Sequence, residues 1–523
     1  MALGLGLLAG EMRAQELPWL SGGTVRLDFA PSFWAWDSRY GTGPDGTTRV
    51  EPLGLDLTAD PMGSEMLPHL RGLEASLQNA VADPAYRVRL GRSQAIVDQS
   101  RLILPFRLEV GVTDWLTVGA MVPLVRPRTE LTFTFDADSL SADMGVSPQV
   151  TSPGVVSQFL SVFETVLSQA RNAHPNDPDV AAAEDFLEAL SKAYAHGTFF
   201  PVSGSGVGDQ LQQRLDHFRN AFGSLGVNGL PEVVPMAQAY LDLEEFQSYL
   251  TGEAMKAFPL QSWTRLWSVG DVELTAALRL LHGGFARDSL GEVSRLRYQV
   301  GAGMLLRLGT GEQADPNRFL DQDPGDGQTD LEGSVFGLME VGSRFGIWGQ
   351  FRYGIQTEGE VIRRIAAPSE TLPHAERLAA LYRTPGDYRE LDINPRVFLN
   401  PAMSFGVRYR HWSKGADSHR LQALDPESLS DLDYPPPELL DQGTEQTLRE
   451  LGITGTFSTV DAFARGKTAL PLYVRATYFR PLGGSGGQTP RGSRFEAGVT
   501  VYQTLWGRPQ RAAPEADPGP TGM

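Results

Sequence analysis

Polar and apolar residues alternate strictly along much of the chain. Residues 101–112 place Leu102, Leu104, Phe106, Leu108, Val110 and Val112 on one parity, and Arg101, Arg107, Glu109 and Gly111 on the other. Strand side chains alternate between faces, so the segment reads as a strand with one apolar and one polar side. The pattern recurs where Val272, Leu274, Ala276, Leu278 and Leu280 oppose Asp271, Glu273, Thr275 and Arg279. It recurs again where Leu296, Tyr298, Val300, Ala302, Met304 and Leu306 oppose Arg297, Gln299, Gly301, Gly303 and Arg307. About twelve strands are predicted: 24–36, 96–112, 115–126 (with an extension to 135), 268–281, 295–308, 330–341, 345–356, 387–399, 402–412, 450–462, 468–480 and 493–506.

A soluble sandwich would also alternate. These segments, however, run about ten to thirteen residues, the length a tilted strand needs to cross a bilayer. Their connections also sort by end. Those at 113–114, 282–294, 342–344, 400–401 and 463–469 are short or moderate, and those at 37–95, 136–267, 309–329, 357–386, 413–449 and 481–492 are mostly long. Short periplasmic turns and long outer loops belong to outer-membrane barrels. Hydrocarbon leaves no partner for an open strand edge, so such a sheet must close. The expected fold is an all-β membrane barrel, about twelve-stranded and antiparallel, with both termini in the periplasm.

Parity then assigns the lumen. Inward charges are Arg26, Asp28, Arg107, Glu109, Asp271, Glu273, Arg279, Arg297, Arg307, Glu332, Glu340, Arg352, Asp392, Arg396, Arg408, Arg410, Arg475, Arg494 and Glu496. A barrel of this size is narrow, so opposed charges are expected mostly to pair into ladders, with solute selectivity as the lesser role. In the hairpin at Asn400-Pro401, a tight turn predicts Asp392 opposite Arg408 and Glu390 opposite Arg410. The expected interfacial aromatics are Trp34, Trp36, Trp115, Tyr353, Tyr409, Trp412, Tyr478 and Trp506.

Between strands three and four the period becomes 3.6. Ser152-Pro153 and Asp177-Pro178 are helix starts, each a capping residue followed by proline at the first helical position. Further helices fit Gln210–Phe222 and Met236–Ala257. The helical insert, 140–262, is expected on the outer side, either as a plug or cap that hands apolar solutes to the barrel or as a cluster packed only on itself.

Composition narrows the reading. The 523 residues contain no cysteine, which removes thiol chemistry, disulfides and lipoprotein anchoring. The net charge of -18 argues against nucleic acid as a partner. No run of eighteen apolar residues marks a transmembrane helix. Residues 1–15 read as signal-peptide-like, with a cleavage region at Arg13-Ala14-Gln15; 16–506 would be the barrel and 507–523 a disordered tail.

Several stretches resemble a known family. Leu108-Glu-Val-Gly-Val-Thr-Asp-Trp-Leu-Thr-Val-Gly-Ala-Met-Val-Pro123, Val269-Gly-Asp-Val-Glu-Leu274 and Gly327-Gln-Thr-Asp-Leu-Glu-Gly333 resemble hairpin and strand openings of the outer-membrane family named for a MetA pathway of phenol degradation. That resemblance implies a barrel passing small hydrophobic or aromatic compounds, akin to fatty-acid and toluene channels. The final strand, Arg494 to Trp506, resembles the aromatic-ended strand read by the barrel-assembly machinery. The expected partners are outer-membrane lipid and lipopolysaccharide, that machinery, and small hydrophobic solutes; no cofactor is expected.

Two motifs bear other chemistry. His411-Trp412-Ser413 has the spacing of outer-membrane lipid hydrolases, against a plain interfacial reading, and no catalytic residue is assigned. Asp321, Asp323, Asp326 and Asp330 could hold calcium, but their glycine falls one residue late for the calcium loop, so a solvated loop is expected and no metal site is assigned. The acidic loop 413–449 is either solvated or shares divalent ions with lipopolysaccharide. The function expected is passive diffusion of small hydrophobic or aromatic compounds; the alternative is a structural or surface-interaction barrel with the insert as binding module.

Overall fold

The computed structural model describes residues 19–43, 45–284, 296–422 and 435–506. The signal-like segment, the tail and residues 423–434 of the acidic loop lie outside the described residues. Twelve strands close into one antiparallel barrel. Strand β1 is in two pieces, Thr24–Phe29 and Ser32–Thr42, broken at Ala30-Pro31, and it pairs with the last strand on one side and the second on the other. The others are β2 (Gly91–Gly111), β3 (Leu116–Asp136), β4 (Val272–Gly283), β5 (Leu296–Leu308), β6 (Asp330–Val341), β7 (Phe345–Gln356), β8 (Tyr388–Asn400), β9 (Met403–Lys414), β10 (Gln446–Ser458), β11 (Leu472–Ser485) and β12 (Thr489–Thr504). Each pairs with its neighbours in sequence, so no edge stays open.

The outer wall is apolar. Met304, Val335, Phe345, Phe405 and Ile453, all of outward parity, are exposed. Burying them in lipid offsets about 25 cal/mol per Å². On β2 and β3 the outward residues change from apolar to polar at Leu102/Ser100 and Leu124/Arg126. The apolar stretch between that boundary and the β2–β3 turn is about nine residues, roughly 30 Å of strand before tilt. A closed barrel with such a band is an outer-membrane barrel.

Beyond the boundary β2 and β3 continue to 21 residues each, further than the periodicity assigned β2, and become the spine of a cap. Five helices pack there: α1 (Leu70–Val81), then α3 (Pro153–Ala173), α4 (Pro178–Ala195), α5 (Gly206–Ser224) and α6 (Leu243–Thr251), with a single turn α2 (Pro148–Thr151) before α3. Asp177 and Ser205 cap α4 and α5 through their side chains, and Asp242 with Glu245 forms a capping box on α6. That box explains one correction: the helix expected at Met236–Ala257 begins only at Leu243 and stops at Gly252. Residues before it form loop and bends, with Ala237 bridging Val202.

The cap is not made by the insert alone. Leu67, Leu70, Leu73 and Leu77 from the first long loop, Val97, Phe133 and Phe135 from the hairpin, Phe163, Phe186, Phe218 and Phe246 from the helices, and Leu372 from a later loop form one buried core. Helix α1, within the connection expected at 37–95, carries Leu70, Leu73 and Leu77 at helical spacing. A small sheet of Gly359–Arg364, Leu378–Thr384 and Ser418–Leu421 joins two further loops.

Several connections differ from expectation; residues Val460–Ala464, at the end of the strand expected at 450–462, form a short helix, and the next strand starts only at Leu472. The last, expected at 481–492, is only the turn 486–488, because β11 and β12 run on through glycine-rich ends. The hairpin at Asn400-Pro401 is shifted by two residues: Asp392 faces Arg410, and Arg396 faces Gly406. Asn400 Oδ1 accepts from the N–H groups of Ala402 and Met403, so the turn lies later than a centre on Asn400. A shift of two preserves every inward face, whereas a shift of one would invert them.

Candidate functional site

The inward parity of the barrel carries a belt of charge. From β12, Arg494 reaches Glu450 at 3.0 Å, and Arg410 reaches Glu450 at 3.5 Å and Glu390 at 2.6 Å. Glu390 also binds Arg352, which lies 3.8 Å from Glu332, itself hydrogen-bonded by the Tyr388 hydroxyl at 2.8 Å. Arg307 bridges Asp330 at 2.7 Å and Glu273 at 3.1 Å, and Arg107 lies 3.6 Å from Glu273. Seven strands, β12 and β10 to β5, contribute before the belt crosses β4 to β2. Nearer the turns, Arg26 donates to Glu109 at 2.5 Å, Arg475 lies 3.9 Å from Asp28, and Arg297 pairs with Glu340.

The diagonal pairs of the β8–β9 hairpin form despite the shifted ladder. Arg408 Nε donates to both Asp392 oxygens at 2.9 Å, and its Nη2 to Oδ2 at 2.6 Å; Glu496 stands 3.8 Å away. Arg396 is buried on the same face. Two expected lumen residues sit at the ends. Asp271 precedes β4 and accepts the N–H groups of Gly311 and Asp326, tying down the 309–329 loop. Arg279 lies near the turn end of β4, its N–H bonded to the carbonyl of Trp115.

The belt surrounds a cavity of about 450 Å³ lined by Arg107, Glu273, Arg352, Arg408, Arg475 and Glu496, and equally by Phe336, Trp348, Tyr473 and Tyr502. Its floor is the start of the described chain. Trp19 stacks on Phe336 with ring centroids 5.3 Å apart and packs with Trp348 and Leu338; Leu20 packs with Tyr473, Tyr502 and Val460. The Leu20 N–H donates to Thr117 Oγ1 at 2.6 Å. Gly301 makes room here, since a Cβ at that position would meet the rings of both Trp19 and Phe336. At the other mouth, Leu320 of the 309–329 loop accepts from Gln99 and Thr129 while Phe319 and Leu320 pack on the cap core.

The charge-only reading missed these aromatics although the signal was present. Phe336 and Trp348 share parity with Glu332 and Arg352. Trp34 and Trp36 share parity with Arg26 and Asp28, so they turn inward and pack on each other at 4.9 Å, rather than into the interfacial belt. Trp412 faces inward too, opposite Glu390. Trp115, Tyr353, Tyr478 and Trp506 are exposed.

The remaining motifs are held by separate partners. Ser413 Oγ accepts from Arg389 Nε at 3.0 Å. Asp321 binds Arg265 at 2.6 Å, Asp323 lies 3.7 Å from Arg363, and Asp330 binds Arg307, so the loop is folded in rather than solvated. Among the described residues no group of three or more His, Asp or Glu is placed to hold a metal ion. Burial, with Asp330 and Asp271 nearby, pushes the Asp326 carboxyl up to about 6.

No family model matches the chain, and no curated protein matches it. Solved structures overlap it loosely. An outer membrane channel from Pseudomonas putida F1 is 10% identical at a TM-score of 0.39, covering 94% of this chain and all of that one. The Ralstonia pickettii toluene transporter TbuX is 11% identical at 0.27, covering 96% and 94%. The Pseudomonas putida toluene transporter TodX is 10% identical at 0.23, covering 97% and 96%. Overlaps this loose add nothing to the closed strand ladder described above.

Proposed function

We propose that the protein is a passive outer-membrane channel for small solutes, with compounds that combine an aromatic ring and a polar group as its substrate class. The observation that carries this is the lumen cavity, where Phe336 and Trp348 stand beside Arg352 and Arg408. Arg408 lies over the Trp348 and Phe479 rings, 5.7 and 5.5 Å from their centroids, so ring faces and guanidinium groups are already matched in the wall. A wholly apolar solute would have to displace water from the charge belt with nothing to replace its hydrogen bonds, which disfavours hydrocarbons relative to phenols or aromatic acids. The short motifs shared with the phenol-degradation family agree with that class. On this reading 140–262, together with α1, caps the outer mouth, and the wall residues act as the selectivity lining.

A second reading, a surface-interaction barrel with the cap as binding module, draws on the single packed core that several loops share. Planar-bilayer recordings with liposome uptake of phenol, benzoate and a sugar of similar size separate the two. The channel reading requires discrete conductance steps and faster entry of the aromatic solutes. Wild-type and Trp19→Ala protein that both insert but neither conduct nor admit any of the three would overturn it.

A further inference from the structure

The outward face of the barrel carries a second site. Where β2 and β3 leave the apolar band, a concavity of about 520 Å³ opens on the outside of the wall. Its floor is a row of small side chains on adjacent strands: Ser100 pairs with Ala35, and Ala35 with Ser493. Arg128, the partner of Ser100, stands at one end. Arg480 stands at the other, beside Ser493, because its neighbour Phe479 pairs with Arg494; Arg491 lies one step further out. Small residues between long cations make a cradle.

The charge is placed against the trend of the molecule. In a chain of net charge -18, the outward positions of β4 to β7 hold no arginine or lysine, and they stay apolar to the outer ends of the strands. Arg480 and Arg491 touch no carboxylate among the described residues. Arg128 pairs with Glu130, and Asp37 and Asp98 also line the concavity. One step towards the bilayer the same strands present Phe33, Leu102, Phe495 and Tyr478, which are mutual neighbours in the ladder. Next to them Arg126 lies under the Trp267 ring, and Leu266 is 86% exposed.

We infer that this cradle binds the phosphorylated sugar headgroup of lipid A in the outer leaflet. Guanidinium forks recognise phosphate by paired N–H donors, at the height where a headgroup meets acyl chains. The apolar row below receives those chains. A free phosphate ion would need the arginines but not the row beneath them. The inference rests on the outer-membrane fold and not on the channel reading, since the cradle faces away from the lumen.

The test uses the full-length protein in detergent, with lipid A as probe and native mass spectrometry as readout. The triple variant Arg128→Gln/Arg480→Gln/Arg491→Gln is compared with Arg389→Gln, an outward arginine of β8 outside the cradle. The triple change is expected to weaken lipid A binding at least tenfold, with heat-modifiable migration and conductance unchanged. Arg389→Gln should bind as wild type, and 10 mM inorganic phosphate should not compete. Equal binding by the triple variant, equal loss in Arg389→Gln, or full competition by phosphate would each overturn the inference. If the triple variant fails to fold, Arg480→Gln alone must weaken binding about threefold, and an unchanged affinity there rejects the site.

Discussion

Asp392→Asn isolates one link of the charge belt. In the native wall Arg408 makes three hydrogen bonds to Asp392, which is 1% exposed, and its next carboxylate, Glu496, is 3.8 Å away. At an effective dielectric of about 20, an ion pair at these bonding distances is worth roughly 6 kcal/mol of Coulomb energy, and one at 3.8 Å about 4 kcal/mol. Water in the lumen reduces both, and removing one partner of a buried pair costs about 3–5 kcal/mol. The loss should therefore fall near 3 kcal/mol, at the lower end, because Glu496 still faces the guanidinium. Urea unfolding in lipid vesicles, followed by tryptophan fluorescence, reads it as a lowered midpoint. Arg408→Gln and the double variant complete a cycle whose coupling should be about 2 kcal/mol. The single change also leaves one extra positive charge in the lumen, so the reversal potential in a salt gradient should move towards anions. A coupling below about 0.5 kcal/mol, or an unchanged reversal potential, would refute the pairing of Asp392 with Arg408.

Trp19→Ala removes the ring stacked on Phe336 and should raise single-channel conductance severalfold; a smaller conductance would mean that Trp19 does not restrict the turn-side mouth. Because the docked Asp326 carboxyl titrates near 6 against 3.8 for an ordinary aspartate, its contribution to seating the 309–329 loop is complete below about pH 3.8 and is lost as pH rises through about 6. Protection factors in that loop, in which the base-catalysed rise of intrinsic exchange is divided out, should be lower at pH 8 than at pH 5, and Asp326→Asn should abolish the difference. Phe186→Ala, at a ring with no exposed surface in the cap core, should cost about 3–5 kcal/mol and expose the cap to protease while heat-modifiable migration of the barrel persists. Deleting 140–262 strips the cover from Phe133 and Phe135, so size-exclusion chromatography in detergent should show a monodisperse barrel only if the hairpin beyond Ser100 and Arg126 is trimmed as well.

Much of the barrel was legible because period two fixes a face wherever one side is apolar. The β6–β7 hairpin matches its expected limits, since Gly342-Ser-Arg344 leaves no room for slippage. Register was less legible: Asn400 bonds two later N–H groups, and hydropathy cannot distinguish a pairing from its neighbour two residues on. The inward placement of Trp34, Trp36 and Trp412 was not read because residue type, against their parity, points to the interface. The cap's extent was missed because α1 lies far from the other helices in sequence. Its apolar stripe has meaning only once 67–81 meets 153–250 in space.

The shared cap core also dictates an order of events during export. With the cap on the outer mouth, as proposed, its parts reach that side in at least three crossings: the first loop between β1 and β2, the insert between β3 and β4, and Leu372 between β7 and β8. Helices α3, α4 and α5 bury Phe163, Phe186 and Phe218 on one another within the insert, but the leucines of α1 and Leu372 stay uncovered until the insert has crossed too. On that reading the final burial of α1 and Leu372 takes place beyond the outer membrane, where no ATP is available to drive it. Sealing the core there makes the topology irreversible: pulling any one loop back would tear phenylalanine from phenylalanine in water.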